Sequence, residues 1–293
     1  MTGRTPLPIL PLAALTEATE AELLSVPETD PFGADERHSH FGPSGRWLLG
    51  AWLSTVVGRR SEEIAILTTS DETYVSTCVT IAAFNHGRVS RLVTGDTVAV
   101  VVIHEFGYVF ADIAERCAEW RARGLAVLED CAHLVGTTPE GERVGIYGDA
   151  ALYSLPKVLP APSGGLLRTR GAFTVPSMDA GLTACVAAGR EAAERHLGRT
   201  WWLNERRLRR HALLAERCPT IELAAQAVPW ATSVAVPSRA EAEETVTGVE
   251  WVATLRDDRV VVPTNPCVEE VEFTRVADRL ASLTTPEVLS PRG

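Results

Sequence analysis

The sequence predicts an α/β fold, a mostly parallel sheet with helices on both faces, followed by a small α+β unit. Three observations predict it. Between Ser44 and Glu216, β-branched runs of strand length alternate with amphipathic helical stretches. The run Val98–Ile103 is continuously apolar, as a parallel strand buried on both faces must be. After Glu216 the pattern changes to short strands around one short helix, closed by a final helix. The expected division is a large domain over residues 1–200 and a small one over 201–293.

Residues 1–43 read as irregular apart from a helix over Glu17–Leu24. Ser44 precedes an amphipathic helix, Trp47–Val57, and Glu63–Leu67 reads as a short buried strand. A helix over Thr73–Phe84 follows. Arg88–Val93 and Val98–Ile103 are strands separated by the turn residues Thr94-Gly95-Asp96. Asp112 caps a helix that ends before Gly124. Strands come next at Ala126–Glu129, Asp149–Tyr153 and Gly165–Arg168, then helices over Asp179–His196 and Leu203–Glu216. The last part offers strands at Ala231–Val236, Val249–Leu255 and Arg259–Val262, and a helix over Val268–Leu283.

Composition removes several functions. The net charge is −10. Nucleic-acid affinity rests on cations displacing counterions from phosphates, so no nucleic-acid partner is expected. The one basic cluster, Arg206–Arg210, reads as the solvated face of a helix. No apolar run reaches membrane-span length, and the N-terminus does not resemble a signal peptide. The 6 cysteines form no C-x-x-C pair, which suits reduced thiols in the cytoplasm. His38-Ser39-His40 has no third metal ligand nearby and reads as a polar loop, so no metal is expected. No phosphate-binding nucleotide motif is present; Gly141, Gly145 and Gly148 lack the G-x-G-x-x-G spacing. Trp201-Trp202 reads as core or dimer surface, and His104 and Glu105 as strand-end residues that either line a pocket or pack.

Among the 28 basic residues, Lys157 is the sole lysine. Any chemistry needing a side-chain amine therefore has one address. It lies in Leu152-Tyr153-Ser154-Leu155-Pro156-Lys157, a loop after a strand, with Gly164-Gly165 close behind. A second strand-end loop is Leu128-Glu129-Asp130-Cys131-Ala132-His133. In a parallel sheet, ligands gather at the carboxyl ends of the strands, which is where both loops fall. Taken singly, an Asp after a strand is usually a turn former and a lysine is usually solvated. Together they meet the needs of pyridoxal phosphate (PLP): an amine for its aldehyde, a carboxylate for its ring nitrogen, and amides and hydroxyls for its phosphate.

On these residues, 126–167 resemble the signature region of the DegT/DnrJ/StrS aminotransferases, the sugar-aminotransferase-like branch of fold type I PLP enzymes. The resemblance implies a seven-stranded-type sheet and assigns Lys157 as the Schiff-base lysine. It puts Asp130 and His133 under the cofactor ring and Ser154 on the phosphate. Ser44-Gly45-Arg46-Trp47-Leu48-Leu49 is similar to the family's phosphate loop, which adds Ser44, Gly45 and Arg46 to the cofactor-binding set. Val102–Gly107 looks like the strand and H-x-x-G turn before the Asp loop, and Val261–Leu283 like the closing strand and helix.

The chain departs from the family in places. It is short, with little room between Phe84 and Thr97 for the usual strand and helix, and Arg46 replaces a small hydroxyl residue. The ring-stacking aromatic should fall near Thr69–Asp71, where none stands; Tyr74 is the nearest. The segment through which a partner subunit contacts the phosphate has its closest remnants at Arg199 or Asn204. The implied function is a cytoplasmic, homodimeric PLP-dependent aminotransferase, acting on a keto-sugar or related small carbonyl metabolite with an amino-acid donor. The alternatives are PLP-dependent elimination, substitution or decarboxylation of an amino acid, and a non-catalytic partner subunit.

Overall fold

The computed structural model describes residues 15–33, 35–69, 77–136, 138, 141, 143–220, 227–247, 249, 253–256 and 258–283. In chain order the elements are α1 (Glu17–Ser25), β1 (His38–Gly42), α2 (Gly45–Val56), β2 (Glu63–Thr68), α3 (Thr77–Phe84), β3 (Arg88–Ser90) and β4 (Thr97–Ile103). Then come α4 (Ile113–Ala122), β5 (Ala126–Asp130), β6 (Ala150–Ser154), α5 (Leu155–Val158), β7 (Gly165–Thr169), α6 (Ala180–His196) and α7 (Thr200–Arg217). The chain continues with β8 (Ala231–Ala235), α8 (Arg239–Thr245), β9 (Ala253–Arg256), β10 (Arg259–Pro263) and α9 (Glu270–Ala281).

Seven strands form one sheet in the order β1-β7-β6-β5-β4-β2-β3. The strands from β6 to β3 run parallel; β7 is antiparallel to β6, and β1 antiparallel to β7. Side chains alternate along each strand and so divide the core in two. Val100, Val102, Val127 and Tyr153 pack with Ile113, Cys117 and Trp120 of α4 and with Trp202 and Leu203 of α7. Ala99, Val101, Leu128 and Leu152 pack with Leu48, Leu49, Trp52 and Leu53 of α2 and with Val79 and Ala83 of α3. A second, antiparallel sheet has the order β8-β10-β9. Its core joins Val234, Val260 and Val262 to Phe273, Val276 and Leu280 of α9, and to Leu214 near the end of α7. The expected boundary at 200/201 thus falls at the first residue of α7, a helix that packs into both cores.

Three readings change. His38-Ser39-His40 belongs to strand β1, with each residue paired in register to β7 (His38 to Thr169, His40 to Leu167). Its polar residues belong to an edge strand whose partner lies about 130 residues on, so nothing local marks it. The Arg206–Arg210 cluster is not simply a solvated face: Arg207 and Arg210 are only 2% and 6% exposed. Arg210 donates to the backbone carbonyls of Asn265, Pro266 and Val268, and Arg207 to Asn204 Oδ1 and the Lys157 carbonyl. Buried guanidinium groups survive here because each finds acceptors. The strand expected over Arg88–Val93 ends at Ser90, whose hydroxyl donates to Leu92 O and accepts from Leu92 N–H, turning the chain. The predicted helix start at Thr73, together with Tyr74, Ser70 and Asp71, lies outside the described residues.

Candidate active site

The parallel strands end at one edge of the sheet, and the antiparallel pair delivers two more loops to it. Gly42 at the end of β1 pairs with Gly165 at the start of β7. The chain then enters α2 through Ser44, whose hydroxyl accepts from Trp47 N–H and caps the helix. Ser44 also forms a parallel bridge with Gly164, and Gly164 N–H donates to Pro43 O at 3.2 Å. The close approach requires the glycine pair. A Cβ on Gly165 would lie 2.5 Å from Gly45 N and 2.6 Å from Ser44 C, and Gly164 has φ +104.

Beside this loop sits Ser154. A Cβ on Gly45 would have Ser154 Cβ as a neighbour at 3.8 Å and Tyr153 O at 3.6 Å. Ser154 precedes the single turn α5 but makes no side-chain cap, so its hydroxyl is not spent on the helix. The first amides of α2 likewise lack intrahelical partners and carry the positive end of the helix dipole. The exposed Arg46 side chain donates to Cys78 Sγ of α3.

Lys157 lies in α5, half-buried. Its carbonyl, at the end of a helix too short to satisfy it, accepts from Arg207 Nη2 at 3.0 Å and Trp230 Nε1 at 3.1 Å. Two groups from the C-terminal third of the chain thus fix the backbone of this turn. The amine stands 3.0 Å from His133 Nε2. Burial pushes the amine below its ordinary value, as does Arg46, while Asp130 and Cys78 pull it upward. Asp130 is 4% exposed and accepts from Ala132 N–H at 2.9 Å. Burial pushes its carboxyl up, opposed first by the charge of Lys157 and then by the Ala132 hydrogen bond. Asp130 and Lys157 therefore act on each other through space.

His133 belongs to a three-ring cluster with Trp230 and Phe106, which themselves stack at 6.4 Å. It stacks on Trp230 at 4.6 Å and on Phe106 at 5.8 Å between centroids. Phe106 has φ 52, a left-handed conformation uncommon for an aromatic residue, and Gly107 follows with φ +87. A Cβ on Gly107 would lie 1.9 Å from Val228 O, so only glycine lets the two segments meet. The turn is held there by Trp230 N–H donating to Phe106 O at 2.7 Å and Val228 N–H to Gly107 O at 3.0 Å.

Behind the site, Glu129 points to the face opposite Asp130. It is fully buried and accepts from the amides of Gly145, Tyr147 and Gly148 and from His104 Nε2. Burial opposes its charge, yet His104 and the amides hold the carboxyl below the ordinary value. His104, Glu129 and Cys131 have ligand-type atoms within 4.8 Å of one another. Glu129 spends both oxygens on N–H donors, and His104 Nδ1 accepts from Phe110 N–H, so these groups order loops rather than offer lone pairs to an ion. This places His104 in the packing role.

The fold therefore brings Lys157, Asp130, His133, Ser154, Ser44, Gly45 and Arg46 to one sheet edge. Asn204 donates to Val135 O and reaches Lys157 only through Arg207, while Arg199 binds Val26 O, Arg195 O and Glu28. Sequence reading missed Trp230, Phe106, Arg207 and Glu129. Glu129 carried a local signal, a charge inside an apolar strand, and Phe106 only the glycine that follows it.

Residues 65–172 match the DegT/DnrJ/EryC1/StrS aminotransferase family. Similar curated proteins include L-glutamine:2-deoxy-scyllo-inosose aminotransferase of Streptoalloteichus tenebrarius, 33% identical over 132 residues, covering 44% of this chain and 28% of that protein. GDP-perosamine synthase of Vibrio cholerae is 31% identical over 83 residues, 27% of this chain and 22% of its own length. Protein MosB of Rhizobium meliloti is 36% identical over 80 residues, 27% of this chain and 16% of its own. The aligned stretches thus span less than a third of each curated relative. Among solved structures, the putative sugar aminotransferase Spr1654 from Streptococcus pneumoniae in its PLP form superposes with TM-score 0.68 at 12% identity, covering 94% of this chain and 98% of that one. The aminotransferase TlmJ from Streptoalloteichus hindustanus gives TM-score 0.63 at 16% identity, covering 96% and 91%. Residues 65–172 are thus similar to the DegT/DnrJ/EryC1/StrS aminotransferases, and the chain has the fold type I architecture of the superposed structures.

Proposed function

We propose that the chain is a PLP-dependent aminotransferase that moves an amino group from an amino-acid donor to a keto-sugar or related small carbonyl metabolite. The observation that carries the reading is the chain's sole lysine amine, desolvated at the sheet edge within the electrostatic reach of Asp130. The donor set fits PLP: one amine, one buried carboxylate, and a glycine-opened helix N-terminus beside Ser154. When bound, the cofactor supplies an aldehyde for the amine and a protonated ring that withdraws electrons from the substrate.

In this reading Asp130 keeps the ring nitrogen protonated. Ser154 and the Ser44–Arg46 turn bind the phosphate with a hydroxyl, backbone amides and the positive helix end. His133, held by the Trp230 and Phe106 rings, packs against the cofactor. Lys157 Nζ anchors the cofactor and, once released by the donor, carries a proton to and from the substrate Cα. The names of the relatives from Vibrio and Streptoalloteichus favour a sugar or cyclitol ketone as acceptor. We place the protein in the cytoplasm as a homodimer; its 6 cysteines are free, which suits a reducing compartment. Among the described residues no helix is long and apolar enough to cross a membrane.

The test is a half-reaction. Protein supplied with PLP and then with glutamate or glutamine alone releases one equivalent of 2-oxo acid per site and stops until a carbonyl acceptor is added. Continuous turnover of the amino acid with no acceptor would replace transamination with a lyase or decarboxylase reading.

A further inference from the structure

The environment of the Lys157 amine is set by a chain of hydrogen bonds that begins in the left-handed turn at Phe106. Phe106 N–H donates to His133 Nδ1 at 3.3 Å. An imidazole nitrogen that accepts carries no hydrogen, so the ring's hydrogen must sit on Nε2. Nε2 stands 3.0 Å from Lys157 Nζ. An N–H can donate to that nitrogen only if it has a lone pair, which an ammonium lacks. We propose that His133, its tautomer fixed by the Phe106 amide, donates from Nε2 to Lys157 and holds it as the free amine before cofactor arrives. His133 is then a positioning residue for the nucleophile. This rests on the reading of Lys157 as the cofactor anchor only for its purpose, not for its geometry.

The setting supports the arrangement. Trp230 and Phe106, which also stack on each other at 6.4 Å, both pack against the His133 ring and hinder a flip that would exchange its nitrogens. Burial alone pushes His133 below its ordinary value and Arg207 adds to it, so it does not take up a second proton even beside an uncharged Lys157. The groups facing Lys157 are Asp130 from β5 and Cys78 from α3, which favour its charge, and Arg46 from α2, which opposes it. A lysine at its ordinary value of 10.5 would be about 0.1% free amine near pH 7.5, so holding it neutral raises the reactive fraction up to about a thousandfold.

A sole lysine makes this measurable in the full chain without cofactor. Protein grown with lysine ¹³C-labelled at Cε gives one signal, whose shift reports the protonation of Lys157. The expected result is a neutral-amine shift near pH 7.5 in the wild type. His133→Gln, whose amide retains an N–H donor, keeps it. His133→Phe, which keeps a ring but loses the donor, moves the midpoint up by about one pH unit or more, a tenfold change in free amine. An ammonium shift in the wild type overturns the proposal whatever the variants do. An unmoved midpoint in His133→Phe overturns the role of His133. Neither readout depends on PLP binding, so failure of the cofactor reading would be seen separately, as a neutral amine that captures no PLP.

Discussion

Gly165→Ala isolates the role of the glycine pair. Its Cβ would meet backbone, Gly45 N at 2.5 Å and Ser44 C at 2.6 Å, where ordinary contacts start at 3.4 Å. Neither neighbour is a side chain that can swing aside, so the turn into α2 must retreat by about 0.9 Å. Overpacking of this size costs about 1–3 kcal/mol, a drop in Tm of a few degrees for a chain this long. The effect on cofactor should be larger. Amides and a helix end displaced by that distance lose charge-assisted hydrogen bonds to a phosphate, each worth about 1.5–3 kcal/mol, or about 10- to 150-fold in Kd. The assay is a PLP titration followed by visible absorption, beside thermal unfolding. Gly171→Ala, where a Cβ meets nothing within 4 Å, is the control and should behave as wild type. If Gly165→Ala bound PLP as tightly as the control, the Ser44–Arg46 turn would not be the phosphate site.

The other predictions concern the second face of the site and its clamps. Glu129→Ala strands the amides of Gly145, Tyr147 and Gly148 and the His104 N–H, and should destabilise the fold by about 3–5 kcal/mol, read as a loss in Tm or denaturant midpoint. The stability Glu129 contributes is present above the ordinary glutamate value of 4.5 and is lost as pH falls through its lower folded value. Asp130, pushed up from 3.8, has the opposite sign, so its contribution is present below that value and lost as pH rises through the folded one. Glu129→Gln should therefore flatten the acid limb of a Tm-against-pH curve, and Asp130→Asn should steepen it. Trp230→Phe preserves the stack on His133 but removes the N–H to the Lys157 carbonyl, costing about 0.5–1.5 kcal/mol in denaturant unfolding. Arg207→Ala removes the other clamp and opens a cavity, and should cost about 2–4 kcal/mol by the same measurement.

The parts of the fold that the sequence revealed are those whose physics is local. Val98–Ile103 is apolar throughout because β4 is covered on both sides, and Asp130 ends β5 while Lys157 follows β6, both strands whose ends are marked by a change of residue type. What stayed hidden depends on distant partners. Strand β1 is polar and exists because β7 pairs with it; without it, nothing explains how Ser44 reaches Ser154. Arg207 and Arg209 are indistinguishable in the string RRLRR, yet one faces the Lys157 carbonyl and the other forms an exposed pair with Glu205. Trp230 lies 73 residues from the lysine it clamps, beyond the reach of any periodicity. The left-handed turn at Phe106 had only Gly107 to announce it.

The proposed function depends on Lys157 as the covalent anchor of the site. Reduction of the PLP-loaded protein with borohydride, followed by peptide mass mapping, tests it most directly, because the only competing primary amine known in this chain is its N-terminus. One phosphopyridoxyl group is expected on the peptide containing Lys157, and none on that peptide's counterpart in Lys157→Ala. A reduced adduct confined to the N-terminus, or no adduct at all in folded wild-type protein, would contradict it.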